Sequence, residues 1–189
     1  MNKTTLFLGV FLTISSAFAQ MTYVDKTTKT YSLENDQKPS GKILPTNGFD
    51  ILKTKGDKAL VKLTGWTKNS VNRILYFSKG KRIIVAVFSK KAKFEVNTLE
   101  TEKIKNDTYS KVELTTWIEN KNLNKNLDSI YNKANNLLQK NCGLCHGVHD
   151  TKEFDANQWP SIIKAMFPRT PLSVEDKLLI TEYVQKHAK

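Results

Sequence analysis

The chain has 189 residues, with 30 Lys/Arg against 18 Asp/Glu and a formal net charge of +12. Hydrophobic residues make up 39% and aromatic residues 10%, which is ordinary for a globular protein and excludes general disorder. Two cysteines are too few for a disulfide-rich scaffold.

The first residues read as an export signal. Lys3 supplies a positive n-region, Leu6 to Ile14 form an apolar run, and Ala17-Phe18-Ala19 is a small-x-small cleavage site before Gln20. That run is shorter than the ~20 apolar residues that span a bilayer, so residues 1–19 are expected to be removed and the remainder to be a soluble, periplasmic protein, not an integral membrane protein. Residues 20–40 are polar and weakly patterned; an extended arm is expected, with a strand possible around Tyr23 or Tyr31.

Residues 41–124 predict a basic β domain. Short runs at Ile43-Leu44, Phe49 to Leu52, Leu60 to Leu63, Arg73 to Phe77 and Arg82 to Phe88 are separated by turn formers such as Pro45 to Gly48, Lys55-Gly56-Asp57 and Ser78 to Lys81. The spacing points to a small SH3-like barrel or a sandwich. There is also an internal echo: Val61, Leu63, Trp66 and Asn69 match Val112, Leu114, Trp117 and Asn120 at a constant offset of 51 residues. Two related β units, each closing a small core with its Trp, are expected from it.

Residues 121–125 read as a linker, after which the period changes. Leu127, Ile130, Tyr131, Ala134, Leu137 and Leu138 recur at helical spacing up to Asn141. A second helix is expected over Ala156 to Met166. Pro168 and Pro171 then break the chain, and Ser173 with Asp176 forms a capping-box pattern for a last helix from Val174 to about His187. The fold class expected is α+β, the β domain being followed by an all-α cytochrome c-like domain over 125–189.

The cysteines carry the chemistry. Cys142-Gly143-Leu144-Cys145-His146 is the Cys-x-x-Cys-His signature of c-type haem attachment. Two thiols three residues apart close almost no loop, so a disulfide would stabilise little. A thioredoxin-like pair would want a preceding strand, and a zinc site would want two further Cys or His ligands. The reading is one covalently attached haem c, with Cys142 and Cys145 as thioethers and His146 as an axial ligand. The sixth ligand of a c-type haem is usually Met or His. Met166 is favoured over His149, which lies only three residues past His146, and over His187 near the C-terminus. Leu137, Leu138, Leu144, Trp159, Ile162, Phe167, Leu178 and Ile180 are expected to wall the haem. A single haem with no acid–base cluster predicts electron transfer, not catalysis.

Charge is unevenly spread. Residues 125–189 carry nine Lys/Arg against seven Asp/Glu, a net of +2, and residues 1–124 carry the other +10. Export argues against nucleic acid, leaving an acidic redox partner or an anionic membrane surface.

The haem motif, Phe154 to Pro160, Met166, Arg169-Thr170 and Glu182 to Lys189 resemble the C-terminal domain of Tor-type c-type cytochromes; Val61 to Trp66 and Gly80 to Ile83 resemble the β region before it. The resemblance implies a partner, a periplasmic molybdenum-containing N-oxide or S-oxide reductase that accepts the electron. Cytochromes of that family also carry a membrane-anchored tetrahaem domain, whose further motifs are missing here. The chain is therefore expected to be the terminal mono-haem module as a free protein, with a separate membrane-bound or soluble donor. The other readings left open are a general carrier serving an oxidase or peroxidase and a haem-linked sensing or docking module.

Overall fold

The computed structural model describes residues 21–189, so the export signal expected over 1–19 lies outside the described residues. Ten strands come first: β1 (Thr22–Val24), β2 (Thr28–Tyr31), β3 (Gly41–Ile43), β4 (Gly48–Lys55), β5 (Lys58–Lys68), β6 (Val71–Tyr76), β7 (Ile84–Phe88), β8 (Val96–Ile104), β9 (Asp107–Glu119) and β10 (Leu123–Asn124). Three helices follow: α1 (Leu127–Cys142), α2 (Trp159–Met166), which runs into a 3-10 turn at Phe167–Arg169, and α3 (Val174–His187). No helix among the described residues is long and apolar enough to cross a membrane.

Six strands close on themselves in the order β5-β6-β7-β3-β2-β9, the ring being completed by β5 pairing with β9. Every pairing is antiparallel. The closure is made by the echoed segments themselves: Leu63 lies opposite Leu114 and Gly65 opposite Val112. Val61, Leu63, Val112 and Leu114 are buried among Ile43, Phe49, Leu75, Val85, Phe88 and Ile118. Side chains alternate faces along a strand. With Leu63 and Gly65 inside, Trp66 must point out, and it is only half-buried. Trp117, next to the buried Ile118, shares that fate. The tryptophans therefore do not close the cores expected of them; Lys79 covers the outer ring of Trp66, its Nζ 5.0 Å from the centroid.

Residues 22–31, expected as an extended arm, enter the sheet. β1 joins β4 to β10, and β2 is a stave of the barrel. Gly41 allows β3 to approach β7: a Cβ there would run into the Val87 carbonyl oxygen and lie 2.9 Å from Phe88 Cα.

The expected α+β division, an SH3-like barrel or sandwich followed by an all-α cytochrome c-like domain, is overturned. The fold is mostly β, and the three short helices form no all-α domain, because their buried faces are shared with the barrel. Tyr23 of β1 packs against the cluster of Ile130, Ala134 and Leu179. α3 buries Glu182 and Gln185 as thoroughly as its apolar residues. Lys186 Nζ donates to Thr46 O, Thr46 Oγ1 and Asn47 Oδ1 at 3.1, 2.8 and 2.8 Å. It stands 3.8 Å from Glu182, and both side chains are 3% exposed. Gln185 Nε2 donates to Ala156 O at 2.8 Å and to Arg82 O at 3.3 Å. At the other end of α3, Glu175 accepts from Thr27 N at 2.9 Å. The capping box is formed, with Asp176 N donating to Ser173 Oγ at 3.1 Å. α2 starts at Trp159, three residues later than expected, with Pro160 in its first turn, where a missing N–H costs nothing.

Two predictions follow from these contacts. Gly41→Ala should lower unfolding stability by about 1–3 kcal/mol, as for other overpacked sites, measured by urea denaturation. Burial raises the Glu182 carboxyl to about 7 from the usual 4.5. Between those pH values the folded chain holds a proton that the unfolded chain has released. This contribution is complete below pH 4.5 and is lost as pH rises through about 7. Lys186, lowered by burial to about 8, titrates above that window. The wild-type-minus-Glu182→Gln difference in stability should therefore decline from pH 4.5 to 7.

Candidate functional site

The helical elements meet in one apolar cleft. It is lined by Leu138 and Cys142 of α1, by His146, Val148 and His149 of the following segment, and by Trp159, Ile162, Ile163 and Met166 of α2. Behind it, Leu138, Trp159, Ile163, Ile180 and Val184 form a buried cluster. α1 reaches the cleft because Asn126 caps its start, accepting from Ser129 N at 3.0 Å, and because Ile130, Ala134 and Leu138 recur on its buried face. It ends at Cys142, where Gly143 N donates to Gln139 O.

Of the residues singled out from the sequence, the cleft gathers Cys142, His146, His149 and Met166. Cys145 is exposed and lies outside the lining. The two cysteines form no disulfide with each other, and partial burial raises the Cys142 thiol above its usual pKa. Leu144, expected as a wall, is 78% exposed. Phe167 and Leu178 are outside the lining, the Phe167 ring lying under Lys177 Nζ at 4.8 Å. Val148 and Ile163 also line the cleft, although neither was counted among its walls; the sequence does place Ile163 with Trp159, Ile162 and Met166 on one side of this helix.

An aromatic stack braces the outer wall. The His146 and His149 ring centroids are 5.5 Å apart, His149 meets Phe154 edge-on at 5.2 Å, and Phe154 meets Trp159 at 5.2 Å and 89°. His149 Nδ1 is 2.9 Å from Glu153 Oε2, and His146 Nδ1 is 2.7 Å from Gly147 O. Trp159 Nε1 donates to Thr151 O at 3.0 Å, which ties the segment after the motif to α2. With the helix ended at Cys142, the spacing of His146 and His149 is not helical, and both rings reach the cleft.

The donor set suits a haem: two thiols at the end of a helix, an imidazole beside them, a thioether across the cleft, and an apolar floor. The volume between the walls is about 30 Å3, well below the ~300–1,000 Å3 usual for ligand pockets. Residues 144–149, which form one wall, leave the helix after Cys142 and carry no strand or helix of their own. Trp159 is the keystone of this wall, at 2% exposure. Trp159→Ala should cost about 3–5 kcal/mol of stability, read from the urea midpoint.

A family model described as the TorC third cytochrome c domain matches residues 17–123. The match covers the barrel and stops before the cysteine motif; it contains neither cysteine and none of the three histidines. The chain is 30% identical over 161 residues to a cytochrome c-type protein TorC from Escherichia coli strain K12, covering 84% of this chain and 41% of that protein. It is 24% identical over 157 residues to a cytochrome c-type protein TorY from Haemophilus influenzae, covering 82% of this chain and 43% of that protein. The chain thus spans about two fifths of the length of the relatives it matches. No solved structure matches. By the extent of the domain match and by these relatives, the chain belongs to the Tor-type c-type cytochromes, a haem-bearing electron-transfer family.

Proposed function

We propose that this chain is a periplasmic mono-haem cytochrome that passes electrons to a molybdenum-containing N-oxide or S-oxide reductase and is supplied by a separate donor. The observation that carries the reading is the single apolar cleft in which Cys142, His146 and Met166 converge. Cys142 and Cys145 would hold the haem as thioethers, and His146 and Met166 would be the axial ligands. Bound haem supplies a one-electron carrier, and a Met ligand raises its potential. The protein's own part is to keep the site dry and rigid. Leu138, Trp159, Ile162 and Ile163 exclude water from the inner face. Glu153 and Phe154 hold the His149 ring from two sides, which favours Met166 as the sixth ligand. A three-residue tether, at most ~10 Å long, also restricts how far His149 can reach from His146 around a macrocycle.

The choice of acceptor rests on the Tor-type resemblance of Cys142 to His146, Phe154 to Pro160 and the C-terminal residues. The experiment is a visible spectrum of chain matured in a periplasm, with denaturing haem quantification. One haem per chain should be found, retained through denaturation and lost in Cys142→Ser/Cys145→Ser. The oxidised protein should show the weak long-wavelength band of Met–iron ligation, and Met166→Ala should abolish it. Retention of that band in Met166→Ala sinks the ligand assignment. Failure of the reduced protein to be oxidised by an N-oxide or S-oxide reductase sinks the acceptor assignment.

A further inference from the structure

The lysines of the barrel differ in how far they are matched by acids. On the β4–β5–β9–β8 side several lysines are matched: Lys62 lies 3.6 Å from Asp50 and 3.2 Å from Glu113, Lys68 lies 2.7 Å from Asp107, and Lys111 lies 3.6 Å from Glu100, while Lys53 and Lys103 project singly to solvent. On the β2–β3–β7 side they are not. Lys29 stands directly opposite Lys42 across the β2–β3 pairing, and both are exposed. Two like charges opposed in this way destabilise a sheet, and neither forms an ion pair with a described residue. The loop after β7 adds Lys90, Lys91 and Lys93, all exposed, against its one acid, Glu95. Lys29 does have Glu119 in its neighbourhood. That carboxylate, however, already takes Lys121 at 2.8 Å and the Tyr31 hydroxyl at 2.9 Å.

Lys29 and Lys42 border an open groove of about 610 Å3, which runs past Ser40 and Ser89 to Glu175 at the start of α3. Glu175 is itself engaged, accepting from Thr27 N. Three residues before it, Leu172 packs against the buried cluster behind the cleft. The groove therefore ends at the start of α3, beside the segment that packs behind the cleft.

We propose that this groove is the docking surface for an acidic segment of the protein that exchanges electrons at the cleft. The proposal names the partner surface of the function argued above and rests on it. Opposed lysines that cost stability in the free protein become favourable when carboxylates lie between them, and the open groove gives an extended acidic segment room to do so.

The test is a titration of the haem-loaded chain with a ten-residue poly-glutamate peptide, followed by electron transfer to the reductase. In Lys29→Gln/Lys42→Gln, peptide affinity should fall at least about fivefold, the second-order electron-transfer rate should fall with it, and both effects should shrink as salt rises. Lys62→Gln/Lys111→Gln, on the matched side, should change affinity by less than about twofold. The urea midpoint of Lys29→Gln/Lys42→Gln should not fall, which excludes unfolding as the cause. Equal losses in the two double variants overturn the proposal. So does binding to phosphatidylglycerol vesicles that depends on Lys29 and Lys42 while the peptide does not bind. Peptide binding with an unchanged electron-transfer rate leaves a basic groove and overturns its role toward the cleft. Absence of covalent haem fails the function above while the peptide titration still reads the groove.

Discussion

The arrangement of the site depends on a buried charge cluster between α3 and the loop before β4. Lys186 has to satisfy an ammonium in a place that water does not reach, and it does so with three oxygens from Thr46 and Asn47 besides the carboxyl group of Glu182. A buried ion is tolerated only when its remaining hydrogen-bonding capacity is filled. The filling groups come from opposite ends of the chain, so α3 can dock in one way only. Because Ile180 and Val184 of the same helix back the cleft, the position of the cleft relative to the barrel is set by that docking. The Phe77 ring beneath Lys186, 4.7 Å from its Nζ, closes the remaining side.

The strands were legible because their signals are local. Turn formers and period-2 runs mark β4 through β7, and the echo at an offset of 51 residues turned out to be the pair of strands that closes the barrel. Its tryptophans were misjudged by parity alone: counting from Leu63 in steps of two reaches Gly65, not Trp66. The error of fold class has a different origin. Glu182, Gln185 and Lys186 are polar, and a helical wheel assigns them to solvent. Their burial depends on Thr46, Asn47, Arg82 and Ala156, none of which lies near them in sequence. Without that knowledge, 125–189 looks like a self-sufficient helical domain. Thr22 to Tyr31 looked like an arm for a similar reason, since the partners of its two short strands lie at β4, β9 and β10.

The site was legible to the extent that it is a motif. Cys142, Cys145 and His146 could be named at once, and Met166 followed from being the one methionine after residue 21. The lining was less legible. Leu144 sits inside the motif and is apolar, yet it points to solvent, because the chain has left the helix at Gly143. The geometry of His149 also depended on where that helix ended. Family membership is carried by the barrel match over residues 17–123, whereas the chemistry sits after it.

Several of the contacts that seat α3 join residues 135 to 148 positions apart. Contacts of such separation are slow to form, since the entropy of closing so long a loop must be overcome before they contribute. The barrel is built from the neighbouring hairpins β2–β3, β5–β6 and β6–β7, and its closing pairs β2–β9 and β5–β9 span shorter separations than these contacts of α3. The platform for α3 therefore exists before α3 can land on it, and the wall that α3 lends to the cleft is among the last surfaces to be completed. Through that interval Cys142 and Cys145 belong to a helix end with its inner face uncovered, a window in which both thiols are open to covalent modification from either side.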